Sequence, residues 1–155
     1  MDVEFLTFIG EDGQKVRRFQ YMAIDDATRI RALRICGCHT QANAIRFVDH
    51  VIAFFPFRIR EIRTDNGPEF HSKVHWHVED QGIRPAYIKP SSPQLNGKVE
   101  RSHRSDEQKF SQILSYAGDV DLESKLQERE RFYNLARPHG AHNGQTPYET
   151  LRTKL

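Results

Sequence analysis

The rhythm of apolar residues changes once along this 155-residue chain, near Pro56, and that change limits the fold more than any other feature. Before it, β-branched and aromatic runs occupy residues 3–9, 18–24 and 29–36. Gly10-Glu11-Asp12-Gly13 and Asp25-Asp26-Ala27-Thr28 separate them as turns, which predicts an antiparallel meander. A helix is predicted over 41–55, with Thr40 as its cap and Ile45, Val48, Ile52 and Phe55 on one face. Pro56 ends it, because proline has no N–H to donate and clashes with a preceding helical turn.

Beyond Pro56, strands and helices alternate: strand 59–64, helix 70–80 ending near Gly82, strand 85–88 and a long polar helix over 97–116. A meander followed by alternation predicts an α/β fold, a mixed five-stranded sheet flanked by helices. Gly118 and Asp119 break the pattern. A helix over 121–136 then carries Leu122, Leu126, Arg129 and Tyr133 along one stripe. A last helical turn is predicted over 147–151, with Thr146 capping it and Pro147 in its first position. These elements read as a core unit over 1–117 and a C-terminal helical extension over 118–155, packed on that core.

Composition narrows the class. At 37% hydrophobic residues the core is modest, and a net charge of +2 means that any nucleic-acid surface must be local. No apolar run approaches the ~20 residues of a membrane span, so no membrane partner is expected. Cys36 and Cys38 are too few for a disulfide framework, which points to a reducing, intracellular setting. Cys36-Gly37-Cys38-His39 has no second ligand pair at zinc-site spacing. His71, His75 and His77 read as surface or satisfied core histidines, and Trp76 as a core anchor.

Two stretches carry chemistry. In Thr64-Asp65-Asn66-Gly67-Pro68-Glu69-Phe70, an acid stands at the C-terminal end of a strand, where open α/β sheets place their ligands. Asn66-Gly67 lets the chain turn sharply there. A bland reading, Asp65 as the cap of a strand-to-helix turn, stands beside it. In Pro93-Gln94-Leu95-Asn96-Gly97-Lys98-Val99-Glu100-Arg101, an irregular loop runs into a helix that presents Glu100 in its first turn. The helix dipole alone would favour an acid at that place.

Together these motifs resemble the catalytic core of retroviral-type integrases and related bacterial insertion-sequence transposases. Glu100 stands 35 residues after Asp65, a spacing similar to that of the family's last two acids. Tyr133-Asn134, Arg137-Pro138-His139 and Gly144-Gln145-Thr146-Pro147 resemble the tail of the bacterial members. The resemblance implies a ribonuclease-H-like fold and an Asp, Asp, Glu triad, and it carries the first acid to Asp2 on the first strand. Asp25 remains the rival, in a segment that matches the turn between the second and third strands. The family has several residues of strand before its first acid, so the chain is expected to be an excised core, with recognition of element ends lying outside it.

Three carboxylates held together repel one another unless cations neutralise them, and hard oxygen ligands suit Mg²⁺ or Mn²⁺. The resemblance implies two such ions, held by Asp2, Asp65 and Glu100 and roughly 4 Å apart, clamping a phosphodiester in an in-line displacement. The implied activity is cleavage at the ends of a DNA element and transfer of the 3′-hydroxyl strands into target DNA. Gln94, Asn96, Lys98, Arg101 and Arg104 are the expected DNA contacts. No small-molecule cofactor is expected. DNA and further copies of the chain are the implied partners, in a dimer or higher oligomer, and the bacterial cytoplasm beside the nucleoid is the implied location. A non-catalytic DNA-binding or assembly module and a stand-alone ribonuclease-H-like nuclease are the alternatives.

Overall fold

The computed structural model describes residues 1–65, 67–88 and 119–155. The first three strands are β1 (Asp2–Ile9), β2 (Lys15–Ile24) and β3 (Arg31–Cys36), paired antiparallel in the order β1-β2-β3 as the turns predict. β3 starts two residues later than expected. Arg29 has φ 65°, and the Asp25 N–H donates to the Ile30 carbonyl at 2.9 Å, so 29 and 30 close the turn instead of entering the ladder.

Helix α1 (Gln41–Phe54) begins at Thr40, whose side chain accepts the Asn43 N–H at 3.3 Å. Strand β4 (Glu61–Thr64) runs parallel to β5 (Arg84–Tyr87), with α2 (Lys73–Asp80) between them in sequence. The single helix expected over 70–80 is broken. Pro68–Phe70 forms a short 3-10 turn, and Ser72, at φ 46°, cannot continue it into α2. Gly82, at φ 71°, ends α2 near the predicted place, where the Gly82 and Ile83 amides donate to the Glu79 and Val78 carbonyls.

The hydrogen-bonded ladders divide the five strands into three and two. Their junction lies at the start of β1, where the Met1 amino group donates to the Arg63 carbonyl in β4.

Side chains alternate across β2 and β3 and build a core on each face. Tyr21, Ala23 and Ala32 face Ala44, Phe47, Val48 and Val51 of α1, with Phe70, Val74 and Val78 joining the cluster. Met22 and Leu33, cross-strand partners, face the other way and meet Leu126. The buried stripe of α1 is thus rotated toward Ala44, Phe47 and Val51; Ile45 and Ile52 lie at its margin.

Leu126 belongs to α3 (Asp119–Leu135), which packs on β3, and α4 (Pro147–Lys154) packs on α3. Leu122, Leu126 and Tyr133 are buried, matching the predicted stripe. Helix α4 runs longer than the expected turn and starts in a capping box between Thr146 and Glu149, with Pro147 in its first turn. Between the two helices, His139 and Gln145 pair through the backbone to form a hook. The helix predicted over 97–116 lies outside the described residues.

Trp76 is not a core anchor. It is 64% exposed, because Val74 and Val78 take the inward positions of α2 and leave residue 76 on the outer face. His75 stacks on Tyr87 with ring centroids 5.9 Å apart, and His77 Nε2 lies 2.6 Å from Asp49, so these histidines are surface groups with partners.

Candidate functional site

The start of β1 and the end of β4 carry Asp2 and Asp65. The bond from Met1 to the Arg63 carbonyl brings these strand ends together. The Met1 amino group is held below its ordinary value, chiefly by desolvation, while the nearby Asp2, Asp65 and Asp26 carboxylates oppose that shift. Asp2 Oδ1 accepts the N–H of Val3 at 2.8 Å, and Asp65 Oδ1 accepts that of Gly67 at 3.2 Å.

Asp65 is exposed, yet its carboxyl is pushed above the ordinary value. Partial desolvation is the largest cause; the neighbouring Asp2 and Glu69 carboxylates add to it, and the Gly67 amide opposes it. Such a group gains from any cation that offsets its neighbours.

Asp25 is engaged differently. Its Oδ2 accepts both the N–H and the hydroxyl of Thr28, at 2.8 and 2.7 Å, which makes it the organiser of the β2–β3 turn. Asp26, beside it, points outward and meets Arg63 at 3.3 Å and Arg29 at 3.6 Å. Glu61 also binds Arg63, so the guanidinium of β4 is held by carboxylates other than Asp65.

Glu69 has a place in the site that sequence reasoning left unassigned. It is buried, and its Oε1 lies 3.1 Å from His39 Nε2, although the two are not aligned as a hydrogen bond. A Cβ on Gly67 would stand 2.5 Å from Glu69 Oε1, so any larger residue there would force the Glu69 carboxylate to move. His39 stacks on Phe19, with centroids 5.2 Å apart, and meets the edge of Phe5 at 5.3 Å. The available signal for Glu69 was its position inside the Asp65 motif; that it would be buried was not visible there.

Of the sequence-predicted site residues, Asp2 and Asp65 are brought together. Glu100, Gln94, Asn96, Lys98, Arg101 and Arg104 lie outside the described residues. Among the described residues, no three His, Cys, Asp or Glu side chains converge in a metal-binding group.

Residues 81–147 match the model of the integrase core domain family. The BIV integrase catalytic core superposes with a TM-score of 0.69 over 99% of this chain and 95% of that one, at 18% identity. The fold of that catalytic core is therefore present. A simian T-cell lymphotropic virus intasome chain aligns with a TM-score of 0.71 and 21% identity, over 96% of this chain and 52% of its own length.

Among curated proteins, the integrase ORF3 of Spiroplasma virus SpV1-C74 is 30% identical over 152 residues, covering 87% of this chain and 42% of the relative. A 39.2 kDa protein of insertion element IS476 from Xanthomonas euvesicatoria is 31% identical over 143 residues, covering 79% and 39% respectively. The chain therefore spans about two fifths of the length of the curated relatives it matches. Its ribonuclease-H-like α/β fold agrees with the sequence expectation. Among the described residues no helix is long and apolar enough to cross a membrane.

Proposed function

We propose that this chain is the catalytic core of a metal-dependent DNA transposase, cleaving phosphodiesters at the ends of an element and joining the 3′-hydroxyl strands to target DNA. The observation that carries the reading is the meeting of Asp2 and Asp65 at adjoining strand ends, with the Asp65 carboxyl raised chiefly by desolvation and further by its acidic neighbours. The proposed reading divides the chain into a core over 1–117 and an extension over 118–155. It places the chain in the cytoplasm, on DNA and in a multimer.

The donor set fits a divalent cation. Asp2 and Asp65 offer hard carboxylate oxygens, and a bound cation offsets both the desolvation that mainly raises Asp65 and the repulsion from its acidic neighbours. Asp2, Asp65 and Glu100 are the proposed ligands of two Mg²⁺ or Mn²⁺ ions, which when bound supply Lewis-acid activation of the attacking and leaving oxygens. The chain's own part is positional. Gly67 holds one Asp65 oxygen through its amide, leaving the other for a ligand. Gln94, Asn96, Lys98, Arg101 and Arg104 are the proposed contacts to DNA.

Calorimetric titration with Mn²⁺ tests this reading on wild type and on Asp2→Asn, Asp65→Asn, Glu100→Gln and Asp25→Asn. Binding is expected to fall in the first three and to persist in the last. Binding lost with Asp25→Asn but kept with Asp2→Asn would move the first acid to the turn. No heat from wild type would leave the non-catalytic module as the better account.

A further inference from the structure

Glu69 is a buried acid that the proposed chemistry leaves unused. It is 7% exposed, although carboxylates seldom enter an interior without a partner. Its one ion-pair partner among the described residues is His39, whose Nε2 lies 3.1 Å from Oε1 without hydrogen-bond alignment. Glu69 Oε2 has no hydrogen-bond partner among the described residues. A neutral side chain of similar size would fill the same space without that cost, so the charge itself points to a role beyond packing.

The segments around this acid are tied together. Gln41 Nε2 donates to the Pro68 carbonyl at 3.3 Å, which joins the start of α1 to the Pro68–Phe70 turn. Asn43 Nδ2 donates to the Cys38 carbonyl at 2.8 Å and so fixes the segment carrying His39. Phe5 and Phe19 hold the His39 ring from two sides. Tyr21 is also near: burial is the main reason that its phenol is raised to about 12, and the Glu69 charge is among the lesser ones. Gly67 links Glu69 to Asp65. Its N–H donates to Asp65 Oδ1 at 3.2 Å, and a Cβ built on it would lie 2.5 Å from Glu69 Oε1 and 2.6 Å from Oε2.

We infer that Glu69 is a positioning residue for the cation site: it braces the Gly67 turn that presents Asp65 and lends a fixed negative charge to the Asp2–Asp65 pair. This rests on the metal-dependent reading above and adds a residue that acts through Asp65 without itself being a ligand. Charges inside a protein reach further than in water, because fewer solvent dipoles screen them. Desolvation is the main reason that the Asp65 carboxyl is raised, and the Asp2 and Glu69 carboxylates add to it. The negative field that opposes ionisation of Asp65 is the one that attracts a divalent cation.

Calorimetric titration of the 155-residue chain with Mn²⁺, paired with melting of the metal-free protein, tests this role. Glu69→Gln keeps the shape and removes the charge, and is expected to weaken Mn²⁺ binding about three- to tenfold. Its melting temperature without metal is expected to equal or exceed that of wild type, because a buried charge is gone. Glu69→Asp keeps the charge and is expected to bind Mn²⁺ within about twofold of wild type. Glu11→Gln, an equal change of charge in the exposed β1–β2 turn, is expected to stay within the same bound.

Wild-type affinity in Glu69→Gln, with binding lost in Asp65→Asn, would overturn the role of Glu69 and leave the metal-dependent reading intact. A loss in Glu69→Asp matching that in Glu69→Gln, or a Glu69→Gln loss accompanied by a lower melting temperature, would assign the residue to folding and also overturn it. An equal loss in Glu11→Gln would reduce the effect to net charge, with the same consequence. A wild type that binds no Mn²⁺, by calorimetry or by the electron spin resonance of the free ion, would overturn the metal-dependent reading itself.

Discussion

The Asn134 carboxamide binds both main-chain groups of Arg31: Oδ1 accepts its N–H at 2.8 Å and Nδ2 donates to its carbonyl at 2.8 Å. One turn earlier on α3, Glu130 accepts the N–H of Leu33 at 2.5 Å. β3 is the outer strand of its sheet, so these two side chains stand in for a further strand and cover an edge that would otherwise be open to pairing. The Tyr-Asn pair of the tail therefore has an intramolecular role here, with Tyr133 receiving the Arg31 guanidinium while Asn134 holds the backbone.

Removing that carboxamide leaves a buried N–H and a buried carbonyl unpaired. Each such group costs about 1–3 kcal/mol, so Asn134→Ala is expected to lower unfolding stability by about 2–6 kcal/mol. Asn134→Asp keeps an acceptor for the Arg31 N–H and loses the donor, so it is expected to fall between the two. Urea denaturation measures both. An Asn134→Ala variant within 0.5 kcal/mol of wild type, an approximate bound for ordinary surface changes, would mean that the edge is covered by other means.

Gly67 and Glu69 are coupled by space. An alanine methyl at 67 would enter the volume of the Glu69 carboxylate, and overpacking of that kind costs about 1–3 kcal/mol. Shortening the obstructing side chain should recover much of the loss. Gly67→Ala/Glu69→Ala is thus expected to be more stable than the sum of its single variants, by at least about 0.5 kcal/mol in a double-mutant cycle. Strict additivity would show that the turn moves away from Glu69 instead of pressing on it.

Acid should loosen the hook. His139 and His142 have imidazoles lowered in the folded state, mainly by desolvation and then by neighbouring cations. The unfolded chain then binds more protons, and their contribution to stability is lost as pH falls below about 6.5. Glu130 works in the opposite sense at lower pH: its carboxyl is raised by burial, so folding favours its protonated form near and above the ordinary glutamate range. Melting temperature should therefore drop between pH 7.5 and 5.5, and His139→Asn should flatten that slope even if it lowers the baseline. An unchanged slope would mean that His139 does not carry the dependence.

The meander, the Thr40 and Thr146 caps and the helix stripe at Leu122, Leu126 and Tyr133 were legible because each depends on local chemistry or a single period. The approach of Asp2 to Asp65 followed only from the resemblance, since nothing local links residues 63 apart in sequence. What escaped was tertiary. The rotation of α1 toward Phe47 depends on which sheet it meets, and burial of Glu69 depends on His39 and the Gly67 turn. The break at Ser72 reflects the path imposed by Pro68–Phe70, against a helical pattern that continued through it.

Trp76 is the sharpest case of that limit, and it gives a contrast that can be measured. Large aromatic residues usually enter cores, yet here two valines on the opposite side of α2 do so. Trp76→Ser should change unfolding stability by no more than about 0.5 kcal/mol, as expected for an exposed position. Leu126→Ala, in contrast, empties the contact with Met22 and Leu33 through which α3 packs on its face of the sheet, and should cost about 2–4 kcal/mol. Because α3 also carries Glu130 and Asn134, Leu126→Ala should expose the amides of Arg31 and Leu33 to hydrogen exchange well before those of Ala23 or Tyr21. Simultaneous exchange at all four would mean that α3 and the sheet unfold as one unit; a large loss from Trp76→Ser would mean that α2 docks through its outer face after all.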